Sequence, residues 1–220
     1  MKKIEKIGSV NHGNEYLYIY ELFKKNTSSI LYIAKDDREI FKLRERLKWL
    51  LPNNEIFIFR SWDHIPYDNI SPSREIQSER IQTLFKIFND KNNKIILTSI
   101  NAIIQKTVNS NFVNNNVIEI NKNIKISFDD LIKKIISLGY QRTSLVREKS
   151  EFAIRGSIID IFIINKKNPI RLDFDDNLIE KISEFDKITQ QKIREINETI
   201  ILHSSNEILL NNDALNLFRK

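Results

Sequence analysis

The sequence predicts a mixed α/β protein: a parallel sheet flanked by helices, followed by an α+β region dominated by antiparallel strands. Three observations carry this reading. Short apolar runs alternate with helical patterns through the first half of the 220 residues. A polar stretch, NSNFVNNN (Asn109 to Asn116), then breaks the periodicity. Beyond it one helical pattern is followed by strand patterns and turn residues.

Taken in order, Tyr16, Ile19, Tyr20 and Phe23 recur at i, i+3, i+4 and i+7, the spacing of one helical face. SSILYIAKD (Ser28 to Asp36) is a continuous apolar run, as expected of a strand buried on both faces. DDREIFKLRERLKWLL opens with acids that suit a helix N-terminus and carries Ile40, Leu43, Leu47 and Leu50 on one side. NEIFIF (Asn54 to Phe59) reads as a second strand. Ser71-Pro72 is a helix start, because proline is tolerated at the first helical position, and Ile81, Leu84, Phe85 and Phe88 give that helix its apolar face. KIILTSINAIIQ (Lys94 to Gln105) reads as a third buried strand running into a short helix.

The asparagine-rich stretch is the expected domain boundary. After it, Ser127 and Asp130 form a capping box before Phe128, Leu131, Ile132 and Ile135, and Gly139 is placed to end that helix in the left-handed conformation. TSLVRE, FAIRGSIIDIFII, PIRLDF, LIEKISEF and INETIILH then read as strands, with N-K-K-N-P and D-D-N as turns in an antiparallel meander.

Composition narrows the function. An apolar share of 41% supports a real core, and no run approaches the roughly 18 apolar residues of a membrane helix. The start, MKKIEKIGSV, is basic but has no apolar signal core, so export is not expected and a cytoplasmic location is. With no cysteine there is no disulfide framework and no thiolate metal site, and His12, His64 and His203 lie far apart without ligand spacing. The formal charge of +6 is open to two readings. It could mark a nucleic-acid partner, but the lysines are spread among acids rather than gathered into a stripe, as compositional drift would leave them.

Two stretches raise the question of chemistry. Gly8 and Gly13 stand at the spacing of G-x-x-x-x-G-K-[S/T], the loop whose backbone amides cradle phosphates while the lysine and hydroxyl hold the β/γ oxygens and magnesium. Here Asn14 and Glu15 occupy those last two places. Glu15 would set like charges together, at a cost of roughly 4 kcal/mol at 4 Å and intermediate dielectric. The loop is expected to be a degenerate, non-functional nucleotide site, and no catalytic residue is assigned. In the second stretch, alternation from Phe152 puts Phe152, Ile154 and Gly156 on one face and Ala153, Arg155 and Ser157 on the other. With Arg142 and Arg147 upstream this is either a solvated strand face or a basic patch for carboxylate-bearing proteins, since guanidinium pairs bidentately with acids.

W-x-x-x-P-Y-D-x-x-S-P from Trp62, then S-E-R-x-x-T-L from Ser78, resembles the N-terminal region of the transcription-repair coupling factor (Mfd) family. So do G-Y-x-R from Gly139, E-F-x-x-R-G-x-x-x-D-I-F from Glu151, R-L-D-F from Arg171 and E-F-D-x-x-T-Q from Glu184, in that order. The resemblance runs from about Gly8 to Lys220. It implies a degenerate P-loop, helicase-like parallel-sheet domain like UvrB domain 1A over residues 1–111. An inserted α+β domain like UvrB domain 2 follows over 112–202, and the start of domain 1B over 203–220. It further implies a non-enzymatic module that recruits UvrA in transcription-coupled nucleotide excision repair, through Arg142, Arg155 and an aromatic anchor, Phe162. The family's ATP- and magnesium-dependent DNA-translocating motor and its grip on stalled RNA polymerase would lie in domains absent from this chain. The chain is then expected to be a fragment or the product of a shortened gene. No cofactor is expected here, and at most a weak, non-specific contact with DNA. Two rival readings are a UvrB-type, nucleotide-dependent handler of damaged DNA and a basic DNA-binding module. The sequence departs from the family where R-G-G has become Arg155-Gly156-Ser157 and where Ile163 follows D-I-F in place of proline.

Overall fold

The computed structural model describes residues 8, 13–25, 27–63, 72–164 and 166–207. The chain divides into two compact units, residues 1–62 with 86–106 and residues 63–85 with 107–220.

The first unit holds α1 (Glu15–Lys25), β1 (Ile30–Ala34), α2 (Asp37–Leu50), β2 (Ile56–Phe59), β3 (Ile95–Ser99) and α4 (Ile100–Ile103), together with the last residues of α3 (Arg74–Asn89). Its sheet is three-stranded and parallel in the order β1-β3-β2. Ile19 of α1 and Ile40, Leu43 and Leu47 of α2 bury themselves with Ala34, Ile56, Ile95 and Leu97 of the strands. Asp36 caps α2 by accepting from the Glu39 amide at 3.0 Å, and Asp37 begins the helix with the acid its dipole favours. The Asp37 carboxylate also accepts from Ser61 N, Ser61 Oγ and Ser99 Oγ, which ties the helix to the ends of β2 and β3.

One expectation changes here. β1 was read as buried on both faces, yet Leu31 and Ile33 are 53% and 47% exposed. The two alternate along β1 and so share one face, and β1 is at the edge of the sheet formed by the described residues, with β3 central, so that face is only partly covered. A continuous apolar run does not tell an edge from a centre.

The second unit contains residues 74–85 of α3, α5 (Ser110–Asn115), β4 (Val117–Ile120), α6 (Phe128–Ser137), β5 (Gln141–Arg142), β6 (Glu151–Arg155), β7 (Ile158–Ile161), β8 (Ile170–Asp175), β9 (Leu178–Phe185), β10 (Lys192–Glu195) and β11 (Ile200–His203). Six strands form one sheet in the order β10-β9-β8-β7-β6-β5, antiparallel throughout except for the parallel pair β5–β6. β4 and β11 form a separate antiparallel pair. Alternation puts Phe152, Ile161 and Ile170 in one row and Ile159, Leu172 and Ile182 in the next, and all of them pack with Leu131, Ile135 and Leu138 from α6 and its cap.

Gly139 ends α6 as expected, at φ +86°. Its amide donates to the Ile136 carbonyl at 2.9 Å and that of Tyr140 donates to Ile135 at 3.3 Å, the paired bonds of a Schellman motif. A Cβ on Gly139 would meet Ser205 Oγ at 2.7 Å, so both conformation and space demand glycine.

Other local readings need correcting. NSNFVNNN, expected to be irregular, contains α5, with Asn109 accepting from the Phe112 amide at 2.8 Å and Val113 fully buried. Ser127 stands at the start of α6, but its side chain makes no cap bond. TSLVRE is not a strand. Only Gln141 and Arg142 just before it pair with β6, and residues 143–150 fold around the Glu151 carboxylate, which accepts from the amides of Arg147 and Glu148. α3 begins at Arg74, and Ser73 Oγ accepts from the Ile76 amide at 3.3 Å. Ser71 of the expected start lies outside the described residues. Phe88 is 42% exposed, and the buried side of α3 includes Ile76, Ser78 and Arg80 with Ile81 and Leu84. Arg80 forms a buried ion pair with Glu207, and Ser78 Oγ donates to the Ser205 carbonyl at 2.8 Å, so this part of α3 is bonded into the second unit.

Candidate functional site

The second face of the six-stranded sheet is where polar side chains gather. β7, β8 and β9 each bring one strand-alternate position to it, and the register aligns Ala153, Asp160, Arg171 and Ser183 across the sheet. Asp160 is fully buried, and Arg171 grips it with two bonds, Nε at 2.7 Å and Nη2 at 2.9 Å. Donating these bonds to the Asp160 carboxylate raises the guanidinium pKa, against the smaller effect of burial. The guanidinium also lies 4.6 Å from the centroid of the Phe185 ring, a cation–π contact. The family motifs quoted above give this pair no role. Asp160 and Arg171 each interrupt a run of apolar residues, which marks each as a candidate, while their meeting follows from strand register alone.

Arg155 stands on the same face, one alternate position beyond Ala153. β6 ends there and turns into β7 through Gly156 and Ser157, with Arg155 paired to Ile158. Gly156 has φ +58° at the first central position of this two-residue turn, the place where a type II′ hairpin requires glycine. The side chain of Arg155 is exposed, and its Nη2 comes within 3.5 Å of Gln190 Oε1.

Arg142 is exposed on β5, level with Phe152. That level is three residues from Arg155 along β6, so alternation sends the two guanidiniums to opposite faces of the sheet. The structure does not gather them on one face.

Phe162 requires a correction. It was expected to be an aromatic anchor for a partner, yet it is 2% exposed. It packs with Val146 and Ala153, and its carbonyl accepts from the Ser150 amide at 2.8 Å. The apolar run IIDIFII drives the ring inward, where it supports the loop of residues 143–150. Lys187 Nζ lies over the ring at 5.8 Å from its centroid.

A cleft of about 500 Å³ opens beside these residues, lined among others by Arg74, Glu75, Gln141, Lys149, Phe162 and Lys187. Arg74 Nη1 donates to Gln141 Oε1 at 2.6 Å and Lys149 pairs with Glu75 at 2.7 Å, so the first turn of α3 borders the β5 edge. The loop of residues 186–191 supplies Lys187 and Gln190. Its backbone is fixed by the Asp186 carboxylate, which accepts from the amides of Ile188 at 2.9 Å and Thr189 at 2.7 Å. Those backbone bonds hold the Asp186 pKa below the usual aspartate value.

Of the glycine loop, Gly8, Gly13, Asn14 and Glu15 are described, while residues 9–12 lie outside the described residues, as do His12, His64 and residues 208–220. Gly13 has φ +94°, and its carbonyl accepts from Arg46 Nη1. The Arg46 guanidinium also lies 5.5 Å from the centroid of the Tyr16 ring. Asn14 accepts from the Leu17 amide at 3.1 Å as the helix begins, and Glu15 is its first residue. Nearby, the Tyr32 phenol is pushed up by burial and by its bond to Glu39, with a smaller contribution from the charge of Glu15. Among the described residues no His, Cys, Asp and Glu cluster could hold a metal ion, and no helix is long and apolar enough to cross a membrane.

Residues 118–206 match the family described as the UvrB interaction domain. Over 213 residues, 97% of its length, the chain is 30% identical to the transcription-repair-coupling factor of Haemophilus influenzae, of which it covers 18%. It is 29% identical over 207 residues to that of Rickettsia bellii, covering 94% of the chain and 18% of the relative. Against the factor of Borreliella burgdorferi the identity is 33% over 166 residues, covering 76% of the chain and 14% of the relative. The chain therefore spans under a fifth of the length of these relatives. It belongs to the bacterial transcription-repair-coupling factor family, corresponding to its N-terminal region and carrying a UvrB interaction domain.

Proposed function

We propose that this chain recruits UvrA, as a non-catalytic adaptor in transcription-coupled nucleotide excision repair in the bacterial cytoplasm. In this reading residues 112–202 are the UvrA-binding domain, residues 1–111 a degenerate counterpart of UvrB domain 1A, and residues 203–220 the start of domain 1B. The observation that carries it is the exposed guanidinium of Arg155, set at a glycine-dependent hairpin turn within the matched segment. Arginine is favoured at such contacts because its planar donors suit carboxylates and carbonyls and because it loses little hydration on binding. Arg142 is the second contact, reached around the β5 edge, and Phe162 acts from beneath by holding the loop of residues 143–150 in place.

The glycine loop takes no nucleotide in this reading. Asn14 stands where the phosphate-binding lysine would be, and Glu15 puts a carboxylate at the start of α1, where a phosphate would otherwise bind. ATP, magnesium, DNA translocation and the contact with stalled RNA polymerase belong to the parts of the longer relatives that this chain does not cover.

Titration of the purified chain with UvrA tests the proposal. Binding is expected, and Arg155→Ala should weaken it by about 1–2 kcal/mol, roughly 5- to 30-fold. Absence of any binding at micromolar concentrations would sink it.

A further inference from the structure

We propose that Ile188, held out by the loop of residues 186–191 beside Arg155, is the apolar anchor of this interface. It rests on the UvrA reading above. Its counterpart on UvrA would be a shallow apolar depression rimmed by carboxylates.

Ile188 is 83% exposed, more than any other large hydrophobic side chain among the described residues. Isolated exposed apolar residues are ordinary, and a slack loop is the usual place for them. This loop is not slack. Asp186 Oδ1 accepts from Ile188 N, Thr189 N and Thr189 Oγ1, all within 3.2 Å. Across the loop, the Gln190 amide donates to the Asp186 carbonyl at 2.8 Å and the Asp186 amide to the Gln191 carbonyl at 2.9 Å. Gln190 Nε2 closes onto the Lys187 carbonyl at 2.9 Å, and Gln190 itself takes a left-handed φ of +62°. Backbone order is thus spent in advance on presenting one isoleucine to solvent. An anchor so fixed loses little further freedom on binding, which is how preorganised loops gain affinity.

Its neighbours define the partner. Gln190, two residues on, meets Arg155 at 3.5 Å, and Lys187, one residue before, extends over Phe162. An apolar tip on a loop that carries Lys187 and meets Arg155 through Gln190 fits an apolar surface ringed by acids, the arrangement in which charge steers the encounter and the buried side chain slows dissociation. Phe162, at 2% exposed, cannot fill that place without the domain opening.

The test is calorimetric titration of UvrA with the whole chain and with Ile188→Ser, Ile188→Val and Arg155→Ala. Ile188→Ser should weaken binding by about fivefold or more and make the heat-capacity change of binding less negative, the signature of lost apolar burial. Ile188→Val should weaken binding less than Ile188→Ser does, by no more than about fourfold, the change that loss of one buried methylene gives. Thermal midpoints should be unchanged, because an exposed side chain contributes little to folding. If Ile188→Ser binds like the parent while Arg155→Ala weakens binding, the anchor is refuted and the UvrA reading stands. If the parent does not bind UvrA, both fall. If Ile188→Ser weakens binding and Arg155→Ala does not, the anchor holds and the guanidinium role is the part refuted.

Discussion

Arg171 and Leu172 are neighbours in β8 and leave the sheet on opposite faces. Leu172 is fully buried among isoleucines under α6, where any apolar side chain of similar volume would serve. Arg171 enters a polar face and is held by two bonds to one carboxylate, where only a planar guanidinium keeps both. The α6 face is built by burial without direction, the other by directional bonds that leave Arg155 and the loop of residues 186–191 at its margin. The two sides of the same strands are thus held together by different forces, apolar burial on one and a directional ion pair on the other.

The sharpest way to break that contrast is at Asp160. Asp160→Ala should cost about 3–5 kcal/mol, because it strands a guanidinium inside a site shaped for an ion pair. Arg171 retains 20% side-chain exposure, which places the value toward the lower end of that range. Replacing both partners together, Asp160→Leu with Arg171→Met, should cost less than Asp160→Ala alone, since the desolvation of two charges disappears with them. Urea unfolding of the three proteins checks this. A double variant less stable than the single would mean that the polar face is held by the pair itself.

On the other face, Leu172→Ala should cost about 2–5 kcal/mol by lost burial and an incompletely collapsed cavity. The same urea experiment should show the midpoint moving with an unchanged slope. Ile182, across the sheet from Leu172, should respond similarly to truncation, whereas Lys181, exposed on the opposite face, should tolerate alanine within about 0.5 kcal/mol.

The two faces were also unequally legible. Period-2 alternation of Ile170, Leu172 and Phe174 in PIRLDF, and the helical spacing of Leu131, Ile132 and Ile135, announced the α6 face, since burial leaves a periodic trace. Gly139 announced its own conformation for a similar local reason. The polar face left weaker marks. Nothing in the residue spacing says that Asp160 meets Arg171, because their pairing depends on strand register across a turn. Phe162, assigned as an anchor through the resemblance, lies 2% exposed, because a motif fixes which residue stands at a position and only packing decides which way its ring faces. The capping pattern at Ser127 lacked its bond, and α5 arose where polarity alone predicted a loop. The edge position of β1 was likewise invisible, being a property of strand order.

The smallest effect concerns the margin where the polar face meets solvent. The Asp186 carboxylate is held below the ordinary aspartate value, first by the backbone amides of Thr189 and Ile188. A group with a depressed folded pKa adds stability that is present above its unfolded pKa and lost as pH falls through the folded one. The conformation of the loop should therefore be constant from neutral pH down to about the unperturbed aspartate value of roughly 3.9 and loosen only below it. Amide NMR shifts of Ile188 and Thr189 should report one shared midpoint on the acid side of that value. In Asp186→Asn the titration should vanish, while the amide side chain keeps an acceptor oxygen and so part of the turn. A midpoint at or above the ordinary value would show that the carboxylate does not hold these amides. The loop would then be slack, and the contrast between a preorganised margin and an interior packed without direction would be lost.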